Sequence, residues 1–238
     1  MRSIGLFGAA IICITAATSS TAHAQGRSGK SQQGKTLPAP AAAAHQRVAA
    51  KQEQQRAAQY GKTLPRQVQT VQQQSAQLQQ QRRSAQYRVQ QQYAKQLQKQ
   101  QKQLPRTRNY ASDPYVTAPL NYRYTVQGAT RETNQYGANV LRQAVDYGYQ
   151  QGYAAGQADR QDHWASNYKN SAAYRDANYG YTGNYVDQSD YNYYFRQGVQ
   201  RGYADGYNSQ LQYGTASNGT YSILSSVLSS ILGLQPIQ

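Results

Sequence analysis

Two runs of glycine at every fourth position, fifty residues apart and set in matching text, constrain this chain more than any other feature. The first places Gly148, Gly152 and Gly156 in YGYQQGYAAG; the second places Gly198, Gly202 and Gly206 in GVQRGYADGY. Glycine at that spacing strips one helix face of side chains, so that another backbone can come close. Each glycine costs about 1 kcal/mol of helix propensity relative to alanine, and six of them demand a compensating contact. The pattern predicts a packed helix pair. We expect the two helices to fold back as a hairpin whose glycine faces admit the tyrosine rings of the partner.

The limits of the pair follow from periodicity. Asn134 is a candidate N-cap, and Gly137, Leu141, Ala144, Val145, Gly148, Tyr149, Gly152, Tyr153 and Gly156 share one helical face, ending near Trp164. The second helix runs from about Asp190 to Gln212, with Tyr194, Phe195, Gly198, Val199, Gly202, Tyr203 and Gly206 on one side. A helical turn is expected at Ser171 to Asp176. Pro114 and Pro119 exclude a long helix from 105–136, where Val116 and Tyr122 to Val126 suggest a short extended piece. In the tail, Ile223, Leu224, Val227, Leu228, Ile231 and Leu232 form an apolar stripe backed by serines. Gly233 and Pro236 end it, which predicts an amphipathic helix over 222–234.

Charge divides the chain. From Gln25 to Ser112 there are 16 Lys or Arg and one acid, Glu53; from Asp113 onward 8 basic residues face 9 acidic ones. Large aliphatics are scarce, a composition of disorder or partial order. Only the second half looks able to build a core, with tyrosine supplying much of its area. Residues 46–103 hold 23 glutamines, and Gly61 and Pro65 split them into a short segment and a helix-forming one over 66–103. A heptad runs through Val68, Val71, Ser75, Leu78, Arg82, Ala85 and Val89, broken at Ser75 and Arg82. We read an exposed basic spacer, a weak coiled coil or a polyanion-binding arm.

The N-terminus has the pattern of a secretory signal: Arg2, an apolar run over Ile4 to Ala17, and an A-x-A site before cleavage between Ala24 and Gln25. The only cysteine, Cys13, lies inside it, and Ile12 argues against lipidation there. The mature chain thus has no thiol for a disulfide, metal or nucleophile. Residues 25–45 read as a flexible linker. Within it, GKSQQGKT over 29–36 matches a P-loop letter for letter, yet no strand precedes it and Leu37-Pro38-Ala39-Pro40 follows. GKTLP recurs at Gly61 to Pro65, which marks a linker repeat rather than a nucleotide site.

The segments YQQGYAAGQADR (149–160), YRDANYGY (174–181) and FRQGVQRGYADGY (195–207) resemble a group of uncharacterised exported bacterial proteins. That group carries paired G-Y-x-x-G segments around an internal Y-R-D-A-x-x-G-Y. The resemblance covers about a quarter of the chain and implies no activity.

Residues that might suggest chemistry have plainer readings. His45 and His163 cannot build a three-ligand zinc site, and His163 suits a helix C-terminus. Asp159, Arg160 and Asp162 are expected to form a solvated polar cluster with Asp205 and Arg201. Asp187 and Asp190 lack the ligand series of a calcium loop. Of the 20 tyrosines from Tyr110 to Tyr221, those on the glycine faces should be core, whereas Tyr179, Tyr181, Tyr185 and Tyr191 should lie at the surface.

The sequence therefore predicts a mostly α protein: a signal peptide over 1–24, a disordered or partly helical basic region over 25–112, a glycine-zipper helical hairpin over 113–215 and an amphipathic C-terminal helix over 216–238. It predicts no enzyme, cofactor, metal or small-molecule substrate. The expected role is a structural or interaction protein exported by a bacterium to its periplasm, outer envelope or exterior. Its partners would be a second copy, through the glycine faces or the C-terminal helix, or an anionic polymer or envelope surface. Two alternatives are an anionic-polymer module carried by the basic arm and a membrane-associated glycine-zipper oligomer. The charges in both zipper helices weigh against the latter.

Overall fold

Asn134 opens the first glycine helix as its spacing predicts. Its side chain accepts from the backbone N–H groups of Tyr136 and Gly137 at 3.0 and 3.2 Å, and helix α4 runs over Gln135–Gln161. The second glycine helix, α6, spans Gln188–Asn208. In this computed structural model, which describes residues 39–104 and 108–237 (of 39–48 the backbone alone), both glycine runs face each other. The signal segment with its Ala24/Gln25 site, the P-loop-like match and the linker to residue 38 lie outside the described residues.

The polarity of the pair is not the expected one. A Cβ on Gly148 would overlap the Phe195 carbonyl, on Gly152 that of Val199, and on Gly156 that of Tyr203. Conversely, Gly198, Gly202 and Gly206 sit against the carbonyls of Val145, Tyr149 and Tyr153. Positions rise together along both helices, so the pair is parallel and not a fold-back hairpin. Every glycine covers the carbonyl three residues before its counterpart, which gives the pair a local two-fold relation. The expectation that glycine faces admit tyrosine rings is corrected as well: the partner's backbone fills them. Close Cα–H···O=C approach and dispersion offset the propensity cost of glycine.

A parallel pair cannot be joined by a tight turn, so residues 162–187 return along its length. Asn167 caps a 3-10 turn over Tyr168–Asn170, and Ser171 caps the short helix α5, Ala172–Asp176, at the expected turn. Gly180, at φ 88°, brings the crossover against Tyr147 and Tyr191, where a side chain would collide with the Tyr191 hydroxyl at 2.7 Å.

The Gln-rich region is part of this body. Helix α1, Ala39–Gln80, passes through both Gly61 and Pro65, contrary to the expected split; helix α2 follows over Ser84–Gln103. A proline inside a helix costs about 3 kcal/mol. Tyr60 and Leu64, 1% and 0% exposed, bury against the crossover and hold the helix together there. The Val68, Val71, Ser75, Leu78 stripe is buried as traced. Ser75 donates to Gln72 O and receives from Gln91 Nε2. Gln90 Nε2 donates to Val71 O and Gln100 Nε2 to the Tyr60 hydroxyl, so α1 and α2 form an antiparallel hairpin. It turns at Gln81–Arg83, with Arg82 at φ 57°. The heptad therefore breaks there: Arg82 is exposed and Arg83 buried.

One hydrophobic core joins α1 and α2 to α4, the crossover and α6, through Tyr60, Leu64, Tyr93, Leu97, Tyr149, Tyr181, Tyr191 and Phe195. The boundary expected at 112/113 is thus crossed by the core, and the described residues form one unit. Tyr181 and Tyr191, placed at the surface by the sequence reading, are fully buried, and Tyr179 and Tyr185 are half-buried.

Two small sheets finish the body. Helix α3, Pro114–Thr117, takes up Val116. Strands β1 (Tyr122–Val126) and β2 (Ala129–Thr133) pair antiparallel with Tyr124 opposite Arg131. Strands β3 (Gly214–Ser217) and β4 (Thr220–Ile223) pair around Asn218 and Gly219, both at positive φ. The predicted tail helix is shortened, because β4 claims Ser222 and Ile223. Helix α7 spans Ser225–Leu232 and docks on α4 and α6, and β5 (Gln235–Pro236) pairs with β1.

Candidate functional site

Carboxylates are scarce in this chain, and their partners define what remains free. All 10 Asp and Glu fall among the described residues, and each is engaged by a named group. Asp159 pairs with Arg83 and accepts from the Tyr203 hydroxyl at 2.6 Å. Asp162 accepts from the Ala85 and Gln86 N–H groups at 2.9 and 2.8 Å, so it caps α2 from another element. Asp205 receives the Tyr149 hydroxyl at 2.8 Å and the Tyr213 N–H at 2.9 Å. Asp190 holds the Tyr124 hydroxyl at 2.8 Å and Arg131 Nε at 3.2 Å. Asp176 holds the Tyr93 hydroxyl at 2.8 Å, and Asp113 pairs with Arg108 at 2.6 Å. Glu53 pairs with Arg56 and caps the Tyr185 N–H at 2.8 Å; Asp187 receives Arg56 and Arg131. Asp146 accepts from Ile223 N, and Glu132 pairs with Arg123. The solvated cluster expected from Asp159, Asp162 and Asp205 is replaced by buried and capping contacts, and Arg201 bonds only Gln197.

Burial raises the Asp159 and Asp176 carboxyls above the usual range, against hydrogen bonds from Tyr203 and Tyr93 respectively. The tyrosine partners are pushed up in turn, Tyr93 well above its ordinary value, by burial first and the neighbouring carboxylate second. These are structural Tyr–Asp stitches. They let a core poor in aliphatics bury phenol rings with every hydroxyl satisfied.

Cations have the opposite distribution. On the α1–α2 hairpin Lys51, Lys62, Arg66, Arg82, Arg88, Lys95, Lys99 and Lys102 are all exposed, and the single acid, Glu53, is 2% exposed and already paired. Every exposed charge on this hairpin is therefore positive.

Beside it lies a cleft of about 1000 Å³ between β1–β2, the crossover and α6, lined by Arg131, Lys169, Tyr174, Arg175, Asp190, Tyr193 and Arg196 among others. A second cleft, of about 440 Å³, shares Arg175, Asn192 and Arg196 with the first and reaches α1 at Arg66, Gln67 and Thr70. Their local construction begins with the YRDA segment. Arg196 of α6 donates through Nε to Tyr174 O at 2.8 Å and through Nη2 to Arg175 O at 3.1 Å, and lies over the Tyr174 ring. Arg175 donates to Lys169 O at 3.3 Å and Asn170 Oδ1 at 3.1 Å. Both guanidiniums are thus positioned by neutral acceptors, and among the described residues neither forms an ion pair.

The six glycines singled out by the sequence are brought together and consumed by the helix pair. Packing a second copy through those faces would require the pair to open. The apolar tail is likewise docked, with Ile223 and Leu232 buried and the Tyr194 hydroxyl against Leu232 O. His163 stands just past the C-terminus of α4, where the sequence puts it. Among the described residues, no three His, Cys, Asp or Glu are grouped to hold a metal, and no helix is long and apolar enough to cross a membrane. The sequence reading misses the cleft because Arg66, Arg131, Lys169, Arg175 and Arg196 are dispersed along the chain; the one available signal was the YRDA segment itself. No family model, curated protein or solved structure matches this chain.

Proposed function

We propose that this is a non-enzymatic interaction protein of the bacterial envelope, exported through its N-terminal signal, that binds anionic polymers on a folded cationic surface. The observation that carries the reading is the charge distribution on the α1–α2 hairpin, where eight cations are exposed while the one acid, Glu53, is buried and paired with Arg56. Such a surface attracts polyanions by releasing their condensed counterions, so affinity falls steeply with salt. The sequence reading gave this role to a basic arm over 25–112; the folded hairpin holds eight of its cations on ordered backbone, which loses less entropy on binding.

The test is polyphosphate binding by the full-length mature protein in low and moderate salt. A variant carrying Lys62→Gln, Arg66→Gln, Arg88→Gln and Lys95→Gln, all at exposed positions, should retain its melting temperature. It should bind more weakly, with a salt slope lower by several units. A wild-type affinity indifferent to salt overturns the proposal.

A further inference from the structure

We infer that the two clefts form one groove for an acidic oligosaccharide, a ligand bearing carboxylates on hydroxyl-rich rings. This deepens the anionic-polymer reading and rests on it. Arg66, Lys169, Arg175 and Arg196 line the groove, and among the described residues none of the four forms an ion pair. Two carboxylates line the clefts as well, but Asp190 is held by Arg131 and Tyr124 and Asp176 by Tyr93, so the four cations call for an external anion. Arg175 and Arg196 are already fixed by four hydrogen bonds to neutral acceptors. Little side-chain entropy is therefore lost when they engage a ligand.

Charge alone would fit any anion; the acceptors narrow the class. Gln67 lines the groove with its Oε1 buried and without a hydrogen-bond partner. An internal phosphate of a polyphosphate or a phosphodiester carries no hydrogen for that oxygen, whereas a sugar hydroxyl does. The side-chain amide of Gln74 adds a group that both donates and accepts, as sugar hydroxyls require. The aromatic residues argue against single-stranded nucleic acid, which binds by stacking bases on free ring faces. Here Tyr174 is taken up by Arg196 and by the edge of Tyr168, and Tyr193 packs edge-on to Tyr194. The volumes, about 1000 and 440 Å³ with three residues in common, suit several linked rings better than one.

Calorimetric titration of the full-length mature protein with oligogalacturonate tests the inference. The comparison probes are its methyl-esterified form (hydroxyls without charge), polyphosphate (charge without hydroxyls) and a single-stranded oligonucleotide. The double variant Lys169→Gln/Arg175→Gln, at two exposed positions, should bind oligogalacturonate at least about tenfold more weakly at unchanged melting temperature. Gln67→Met should weaken it several-fold, with no effect on polyphosphate. Equal binding of the esterified form, tighter binding of the oligonucleotide, or an unchanged affinity in the double variant would each overturn the groove. If groove variants are silent while the α1–α2 variant loses polyphosphate, the general reading stands and the groove alone falls. If the wild type binds no polyanion, both fall.

Discussion

A methyl group separates glycine from alanine, and at Gly202 that methyl would occupy the place of the Tyr149 carbonyl. Neither backbone can yield without moving its helix. We expect Gly202→Ala to lower stability by about 1–3 kcal/mol through overpacking, despite the better helix propensity of alanine. At this chain length that is a fall of several degrees in melting temperature. Gly61 offers the opposite case, since nothing lies within 4 Å of the Cβ it would gain. Gly61→Ala should raise stability by up to about 1 kcal/mol. A calorimetric comparison of the two variants separates close packing from propensity; equal and favourable shifts would refute the packed face. The spacing of these glycines made the contact surface legible, but not what fills it. Tyrosine rings and a bare backbone both fit a smooth helix face, and the pattern on one helix carries no information about which its partner presents.

At the scale of elements, the turn between α1 and α2 meets the end of α4 in one charged assembly: Asp159 with Arg83, Asp162 with the first N–H groups of α2, and Trp164 under the Arg83 guanidinium at 4.5 Å. Asp159→Ala should cost about 3–5 kcal/mol, because it strands a buried cation. Adding Arg83→Met should recover much of the loss. Asp162→Ala should cost about 0.5–2 kcal/mol, the value of a cap. Urea unfolding of the three variants checks both, and additive losses in the Asp159/Arg83 pair would count against the ion pair. None of this assembly was legible in the sequence, since its halves lie far apart and each reads locally as a solvated charge. Helices α4 and α6, the Asn134 cap and the Ser171 turn were legible because their signals are local. The stripe of α1 was visible from Val68 onward, yet Tyr60 and Leu64 fell on the far side of Pro65, where local rules end a helix. Only tertiary burial reverses that rule. The polarity of the glycine pair was hidden for the same reason: it is decided by where the crossover leads.

Across the whole molecule, the tyrosine-rich core fixes the response to alkali. Burial pushes Tyr115 and Tyr194 up to about 12, and Tyr93 and Tyr191 well above their ordinary value. The unfolded chain ionises its tyrosines near 10, so above that pH it holds fewer protons than the folded one. Stability is then fully present below pH 10 and is lost as pH rises toward 12. We expect tyrosinate absorbance to rise in a cooperative step that coincides with loss of helical circular dichroism. A gradual rise with the helices intact would contradict it. The parallel glycine pair has its own consequence at this scale. Its local two-fold relation is the symmetry of a dimer of identical helices, held inside one chain by residues 162–187. That link turns what would be a second-order encounter into a unimolecular one, at the millimolar effective concentration a short tether provides. The glycine contact therefore forms at any protein dilution, and only a break in the crossover would make it depend on how much protein is present.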